Sequence, residues 1–453
     1  MGWRLKKHYT DILEQETGYV KKIWGTSNTV CLAYPNHYKT GMANLGFQTV
    51  YKLFNAQPSF LCERVFLSDS GDDARFISGA AGIVSLENQQ SLAEFDIIAF
   101  SVSFENDYPN ILKILSSAGI PLLTRDRSGK HPLIIGGGIS LTLNPEPLAD
   151  FFDLFILGEA EEILPDFCRY FEEARYLGHD RQTFLRDVQK HLSNIYVPHF
   201  YEVIYSGDSK IKSIKPTEKG FPERIKIKQI KDINLFCTEE VISASETEMD
   251  DMFLVEVNRG CARSCRFCAA SFVYRPVRFR SLSEIIASID RGLKIKNKIG
   301  LVGTAVSDHP DLGRICEYIM NKGAQAGLGS LRIDRINEEM VDRIKASGIE
   351  TVALAPEAGS QKIRDILRKG ITETDIMKAV EILAGKEIPN IRLYFMIGLP
   401  LEEETDIEAI IELVGKIQHH IRHCFQGKKM FRRITLSINQ FIPKPATPFQ
   451  WCT

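Results

Sequence analysis

The sequence predicts an α/β protein: an N-terminal doubly wound parallel sheet followed by a partial barrel of six βα units, (β/α)6. Two observations carry this. Apolar runs of strand length alternate with helix-period segments along almost the whole chain, the arrangement that parallel βα units require. The runs also fall into two sets, one before about residue 160 and one after about residue 250, separated by a stretch rich in Lys, Gly and Pro. A chain of 453 residues holds two or three domains of ordinary size. Its 44% hydrophobic and 25% charged residues are those of a folded globular protein, which sets aside the disordered and fibrous classes.

Residues 1 to about 28 contain a polar, charged helix candidate. The first strand is expected over 29–34, followed by a helix over 45–54. Further strands are expected over 63–67, 96–103, 133–135 and 154–157, with helical stretches between most of them. Five such strands complete a small domain, assigned to residues 1–195. A doubly wound sheet binds ligands outside the carboxyl ends of its strands. Here that edge consists of the loops 35–41 and 101–106, the triple glycine Gly136, Gly137 and Gly138, and Gly158-Glu159. Residues 196–240 read as a β-rich linker with a hairpin turn at Ser206-Gly207-Asp208. Its lysines read as a solvated face, since no aromatic residues interleave for base stacking.

The net charge of -2 implies no strong general attraction to nucleic acid or to anionic membrane. No apolar run reaches the roughly 18 residues of a membrane span, and the opening MGWRLKKHYTDILEQE lacks the apolar core of a signal peptide. The expectation is a cytoplasmic protein. Ten scattered Cys do not make a disulfide framework, so the thiols are expected to be reduced.

The second domain, residues 241–453, opens with the apolar run 252–257. Further strands are expected over 299–303, 326–334, 350–355, 391–397 and 434–441, with helices such as 282–293, 338–346, 363–367, 376–383 and 407–417 between them. A full eight-unit barrel would take about 250 residues, so six units fit better. Just past the first strand, Cys261, Cys265 and Cys268 put three thiols in the loop where α/β barrels keep their active sites. Structural zinc needs four closed ligands, and the next Cys or His candidates, His309 and Cys316, are far along the chain. Three thiolates leave one metal position open, which suits a four-iron four-sulfur cluster with one free iron. Arg259, Arg263 and Arg266 are expected to lower the thiolate pKa and offset the cluster's charge. A zinc loop or three structural thiols is the competing reading.

Strand parity adds candidates. Along the expected strand 326–334, Ser330, Arg332 and Asp334 share one face, as do Thr435, Ser437 and Asn439 in the last strand. A packed apolar barrel has no use for such groups unless something polar binds there. The face ending in Glu357 carries small residues and leaves room for a cofactor.

Cys-x-x-x-Cys-x-x-Cys with Phe267 before the last Cys resembles the signature of the radical S-adenosylmethionine superfamily. The resemblance implies a 4Fe-4S cluster on Cys261, Cys265 and Cys268, S-adenosyl-L-methionine chelated at the open iron, and Phe267 against its adenine. It also implies an enzyme that makes a 5′-deoxyadenosyl radical, fed by a reductant such as flavodoxin or ferredoxin. Where the family has a Gly-Gly-Glu-Pro type motif for the methionine amino group, this chain reads Gly303 to Pro310, a departure that leaves Ser307 and Asp308 as candidates. Pro356-Glu357-Ala358-Gly359-Ser360 resembles the Glu-containing turn that helps hold S-adenosylmethionine. Ile397-Gly398-Leu399-Pro400 resembles the motif whose backbone contacts adenine. The segment Phe441 to Phe449 resembles an internal motif of the branch, so the native chain is expected to continue.

A sheet domain before such a barrel resembles the cobalamin-binding domain of the cobalamin-type branch, which implies cobalamin and methylation of an unactivated carbon. The branch's Asp-x-His-x-x-Gly reads Asn36-His37-Tyr38-Lys39-Thr40-Gly41 here. Tyr38 thus stands in the cobalt-ligand position, implying binding without His coordination. Ser101, Gly136, Gly137 and Gly138 match positions that receive the nucleotide tail. A purely structural sheet domain is the alternative. Cys31, Cys62 and Cys168 invite comparison with the methylthiotransferase branch, which holds a second cluster on three N-terminal Cys, but their spacing fits three unrelated buried thiols better. Other functions weighed are a tRNA-modifying enzyme, with the basic stretch 422–433 as its one candidate surface, a radical rearrangement or cyclisation, and a cobalamin or redox sensor. No motif names the substrate, small molecule or macromolecule.

Overall fold

The computed structural model describes residues 3–25, 27–67, 83–208, 210–245, 247–249 and 251–452. The chain divides into two units, residues 1–230 with 240–251, and residues 231–239 with 252–453.

The first unit is built on β1 (Asn28–His37), β2 (Phe60–Leu67), β3 (Ile97–Ser101), β4 (Leu133–Gly137), β5 (Leu154–Ile156) and β6 (Ile195–Tyr196), in the spatial order β2-β1-β3-β4-β5-β6. β1 to β5 are parallel and β6 is antiparallel to β5. Strands buried on both faces read as continuous apolar runs, which made the first five legible. In β1, Val30, Leu32 and Tyr34 enter one core, whereas Cys31 and Ala33 enter the other. The two-residue β6 falls at the start of the stretch read as β-rich, but its pairing into this sheet was not expected. The order places the topological switch point between β1 and β3.

A buried polar network joins β2 to its surroundings in this unit. Arg64 of β2 is fully buried and pairs with Glu16 at 2.6 Å and Glu87 at 2.7 Å, its guanidinium 5.3 Å from the Tyr51 ring centroid. A charge so buried requires these partners.

Residues 196–240 do not form a separate linker. The hairpin is present as β7 (Tyr201–Tyr205) and β8 (Ile211–Pro216), but it belongs to the first unit, with Phe200 buried in that unit's core. Residues 231–239 belong to the second unit.

The second unit contains β9 (Phe253–Arg259), β10 (Arg278–Phe279), β11 (Lys298–Gly303), β12 (Gln325–Leu328), β13 (Thr351–Glu357), β14 (Asn390–Ile397) and β15 (Arg433–Gln440). Two sheets, β10-β9-β11-β12 and β13-β14-β15, are joined where the Leu331 N–H donates to the Ala353 carbonyl at 2.9 Å. Apart from the short antiparallel β10, the six strands are parallel and in sequence order, with helices between them, making the partial barrel.

The third barrel strand corrects the parity argument. β12 ends at Leu328, and a 3-10 turn over Ile333–Arg335 replaces its expected second half. Gly327 and Gly329 give a strand nothing to pack, while Leu331 and Ile333 turn into the core. Ser330 and Arg332 lie in the connecting loop and Asp334 in the 3-10 turn, so the three are not one face of a strand.

Candidate active site at the barrel mouth

The cysteine loop leaves the C-terminal end of β9, and two glycines make its root possible. Gly260 has φ +82°, and a Cβ there would lie 2.0 Å from the Tyr274 carbonyl oxygen. Gly303, ending β11, makes room for Asn258: a Cβ would lie 1.9 Å from Asn258 Oδ1. Asn258 donates from its amide to the Gly260 carbonyl at 3.3 Å, while its buried Oδ1 has no hydrogen-bond partner among the described residues. Glu256 ties the strand end down through Arg259 at 2.9 Å and Arg280 at 2.5 Å. Burial alone would raise this carboxyl, but the two guanidiniums outweigh it and hold it below its ordinary value of 4.5.

Cys261 and Cys265 are buried and Cys268 is half-buried. The Arg263 N–H donates to Cys261 Sγ at 3.4 Å. Burial raises the Cys265 thiol above its ordinary value, and Lys369 and Arg332 are the cations that oppose the rise. At Cys265 the opposing cations are thus not the loop's arginines, whereas Arg263 interacts electrostatically with Cys261. Arg259 is spent on Glu256, Arg266 donates to the Ile366 carbonyl at 2.9 Å, and Arg263 pairs with Asp308 at 3.2 Å and Asp334 at 3.6 Å. Those partners engage the guanidinium heads, and at Cys265 the cations distant in sequence, Lys369 and Arg332, act instead.

Ser307 and Asp308 bond to residues of the neighbouring loops. Ser307 Oγ accepts from the Arg332 N–H at 3.2 Å. Asp308 holds both Arg263 and Arg335, the latter at 3.3 Å. Arg332 in turn pairs with Asp334 at 2.8 Å.

A cavity of about 530 Å³ opens among the strand ends, lined by Ser330, Ala355, Glu357, Tyr394, Asn439 and Lys444 among others. Glu357 sits past a register shift in β13 with φ +70°, a conformation that costs a non-glycine residue about 1–3 kcal/mol and clusters at functional sites. Its carboxylate accepts from Lys369 Nζ at 2.7 Å, and Lys369 lies 5.9 Å from the Phe267 ring centroid. Phe267 packs on a cluster containing Ala358, Leu399, Phe441 and Phe449. Four separate motifs of the sequence therefore meet: the cysteine loop, the Glu357 turn, the Ile397–Pro400 turn and the segment after β15. In the Ile397 turn, the Ile397 carbonyl accepts from the Phe441 N–H at 2.8 Å and the Gly398 N–H donates to Glu402 at 2.6 Å, so these backbone groups are engaged within the protein. Sequence reasoning missed Lys369, Tyr394 and Lys444. Lys369 belongs to an Arg-Lys-Gly stretch just past a helix, which reads as ordinary C-terminal helix charge.

In the first unit Tyr38, just past the C-terminal end of β1, has its side chain engaged within the protein. Its hydroxyl donates to Glu16 at 2.6 Å, its ring packs edge-on to Phe66, and burial raises its pKa far above the ordinary range. Tyr38 is a member of the Arg64 network, a role its motif position did not reveal. The triple glycine has internal reasons. A Cβ on Gly136 would meet Leu141 at 2.7 Å and Phe152 at 2.8 Å, and Gly138, with φ +108°, would meet Val102 O at 2.4 Å. Gly137 alone has ordinary room, 3.5 Å to the nearest atom, and it pairs in register with Ser101.

The barrel residues fit an iron-sulfur cluster with S-adenosylmethionine. Three thiols on one loop, two of them shielded from water, form a soft donor set beside Lys369 and Arg332, which offset its negative charge. Asn258 Oδ1, Glu357 and Asn439 are acceptors suited to an ammonium group.

Two family models match the chain: the N-terminal region of radical SAM proteins over residues 46–198, and the radical SAM superfamily over residues 255–414, which contains the three cysteines. An uncharacterised protein of Methanocaldococcus jannaschii is 29% identical over 423 residues, 93% of this chain and 79% of that protein. A threonylcarbamoyladenosine tRNA methylthiotransferase of Aquifex aeolicus is 25% identical over 38% of this chain and 44% of its own length. Among solved structures, the radical S-adenosylmethionine methyltransferase TsrM from Kitasatospora setae, with tryptophan and an S-adenosylmethionine analogue, matches 94% of this chain and 75% of its own at TM-score 0.57 and 13% identity. The cobalamin-dependent S-adenosylmethionine radical enzyme OxsB with aqua-cobalamin matches 93% of this chain and 60% of its own at TM-score 0.59 and 15% identity. At such identities these structures share the fold. The methylthiotransferase likeness finds no second cluster site in Cys31, Cys62 and Cys168: Cys31 lies in one core of the sheet unit and the other two in the opposite core. Among the described residues no helix is long and apolar enough to cross a membrane. With both family models in place and three thiols at a barrel mouth, the chain is an enzyme of the radical S-adenosylmethionine superfamily.

Proposed function

We propose that this enzyme methylates an unactivated carbon with cobalamin as a further cofactor. The observation that carries the reading is Asp107, in the turn after β3 at the switch point. It is buried; Oδ1 accepts from the Asn36 amide at 2.8 Å, and Oδ2 has no partner among the described residues. An orphaned buried acceptor costs about 1–3 kcal/mol until a donor reaches it. The amide groups that rim a corrin are such donors, and a switch point is where this kind of sheet takes its ligand. The names of OxsB, as a cobalamin-dependent enzyme, and TsrM, as a methyltransferase, support the same reading. Asn36, Asp107, Ser101 and Gly137 would hold the corrin.

When bound, the cluster with S-adenosylmethionine supplies a hydrogen-abstracting carbon radical and cobalamin supplies a transferable methyl group. The chain's own part is to bind and to shield. Lys369 and Arg332 balance charge at the thiols, Glu357 and Asn439 offer acceptors, and the apolar wall of Phe267, Leu399 and Phe441 excludes water. The net reaction converts R–H, two S-adenosylmethionine and two electrons from a flavodoxin or ferredoxin class donor into R–CH3, S-adenosylhomocysteine, methionine and 5′-deoxyadenosine.

Anaerobic turnover of the reconstituted chain with cobalamin and labelled S-adenosylmethionine tests this across candidate substrates. S-adenosylhomocysteine and 5′-deoxyadenosine should form in equal amounts, with labelled methyl in the product. Substrate consumption with 5′-deoxyadenosine and no S-adenosylhomocysteine would replace methylation by rearrangement or cyclisation. Asp107→Asn should lower cobalamin retention at least tenfold with iron content unchanged, and undiminished retention would remove Asp107 from the corrin site.

A further inference from the structure

Among the described residues, one group of three ligand side chains converges on a single point, and it is not the cysteine loop. Glu381, His420 and Cys424 bring their ligand atoms within 4.8 Å of one another. Each thiolate of a four-iron cluster takes its own iron, so the loop cysteines have no need to converge. This trio does, as ligands of one ion must.

The spacings approach those of a zinc tetrahedron. With Zn–S of about 2.3 Å and Zn–N or Zn–O near 2.0 Å, the S···N edge is about 3.5 Å and the N···O edge about 3.3 Å. Cys424 Sγ lies 3.6 Å from His420 Nε2 and 3.9 Å from His420 Nδ1, so the thiol stands beside the imidazole, and Nε2 lies 3.1 Å from Glu381 Oε2. A metal on Nε2 needs the Cys424 side chain to swing toward the lone pair of that nitrogen, a rotamer change open to an exposed residue. His420 and Cys424 are one helical turn apart on the helix Glu404–Cys424, so they share a face. Glu381 comes from the helix Glu373–Gly385, and Leu383, Ala384, Ile417 and Ile421 of the two helices lie in one buried core. The platform is therefore rigid. Barrel helices run opposite to their strands, so these helix ends lie at the face away from the catalytic mouth. There a metal has no catalytic partner and acts as a clamp.

We propose that Glu381, His420 and Cys424 bind one divalent zinc-class cation, with water in the fourth position, and so pin together the last two barrel helices. A thiolate, an imidazole and a carboxylate are a zinc donor set and a poor one for magnesium or calcium. Binding displaces the thiol proton to solvent, with no change of oxidation state. The inference is independent of the methylation reading.

The test uses the full chain, anaerobically reconstituted with its cluster and then dialysed against zinc. Metal analysis should find one zinc per chain besides the iron. Cys424→Ser and His420→Ala should each weaken zinc binding at least tenfold with iron content and 5′-deoxyadenosine release unchanged. Cobalt(II) in place of zinc should give a thiolate-to-cobalt absorption band that vanishes in Cys424→Ser. Equal zinc retention in Cys424→Ser, or zinc lost only on Cys261→Ala, would overturn the assignment and leave the trio an ordinary surface hydrogen-bond cluster. All three side chains lie at the surface or half-buried, so the variants are expected to fold, and helical content by circular dichroism verifies it.

Discussion

The barrel mouth and the ligand edge of the sheet unit were flagged by the same kind of reading, yet the structure treats them differently. At the mouth, motifs far apart in sequence converge: Phe267, Ala358, Leu399 and Phe441 share one apolar cluster, and Glu357 reaches Phe267 through Lys369. At the sheet edge, Tyr38 turns to Glu16, and Gly136 and Gly138 are small because Phe152 and Val102 leave no space. Three thiols at fixed spacing have few uses besides a metal, so their pattern specifies chemistry. A glycine or a tyrosine has many structural uses, so the same positional match specifies much less.

The largest effect expected on the barrel side is from Glu357→Ala. It would strand the largely buried Lys369 ammonium, lowering stability in chemical denaturation by about 3 kcal/mol and weakening S-adenosylmethionine binding measured by calorimetry. Adding Lys369→Met should restore much of the stability but not the binding. Restored binding would reduce the pair to a structural role and blur the contrast between the regions.

On the sheet side, Gly138→Ala is expected to destabilise by about 2 kcal/mol, because its Cβ would press on the Val102 backbone at a positive φ. Gly137→Ala should stay within about 0.5 kcal/mol of the parent. If it nonetheless impairs cobalamin retention, one glycine of the three faces a ligand. If Gly138→Ala proves neutral in thermal melts, the packing explanation of the triplet fails.

The smallest effect concerns pH. Glu256 has its folded pKa depressed below 4.5, so the stability it contributes is present above that value and is lost as pH falls through the lower folded pKa. The stability gap between the parent and Glu256→Gln should therefore be constant near neutrality and shrink below about pH 4.5. A gap unchanged down to the acid transition would mean that Arg259 and Arg280 do not favour the charged form.

The alternation of strands and helices was legible because both units are parallel α/β, with long buried apolar runs as in β1 and alternating burial as in β14. The end of β12 was not, since Gly327 and Gly329 weaken a strand without marking where it stops. The cluster cysteines and Glu357 stood out by pattern, whereas Lys369 acts by reaching across from another helix end. The fate of Tyr38 depended on Arg64 and Glu16, which its own motif does not contain. The Glu381, His420 and Cys424 group was hidden for the same reason, because His420 and Cys424, one turn apart on their own helix, gain the third donor only from a separate helix.

The central claim is that Cys261, Cys265 and Cys268 hold the centre that cleaves S-adenosylmethionine. Release of 5′-deoxyadenosine by the anaerobically reconstituted, chemically reduced chain tests it directly, alongside iron content and visible absorption. The parent should carry about four irons per chain and release 5′-deoxyadenosine, while Cys261→Ala, Cys265→Ala and Cys268→Ala each abolish the release. Iron and absorption unaltered in the triple Ala variant, or zinc in place of iron in the parent, would contradict the account.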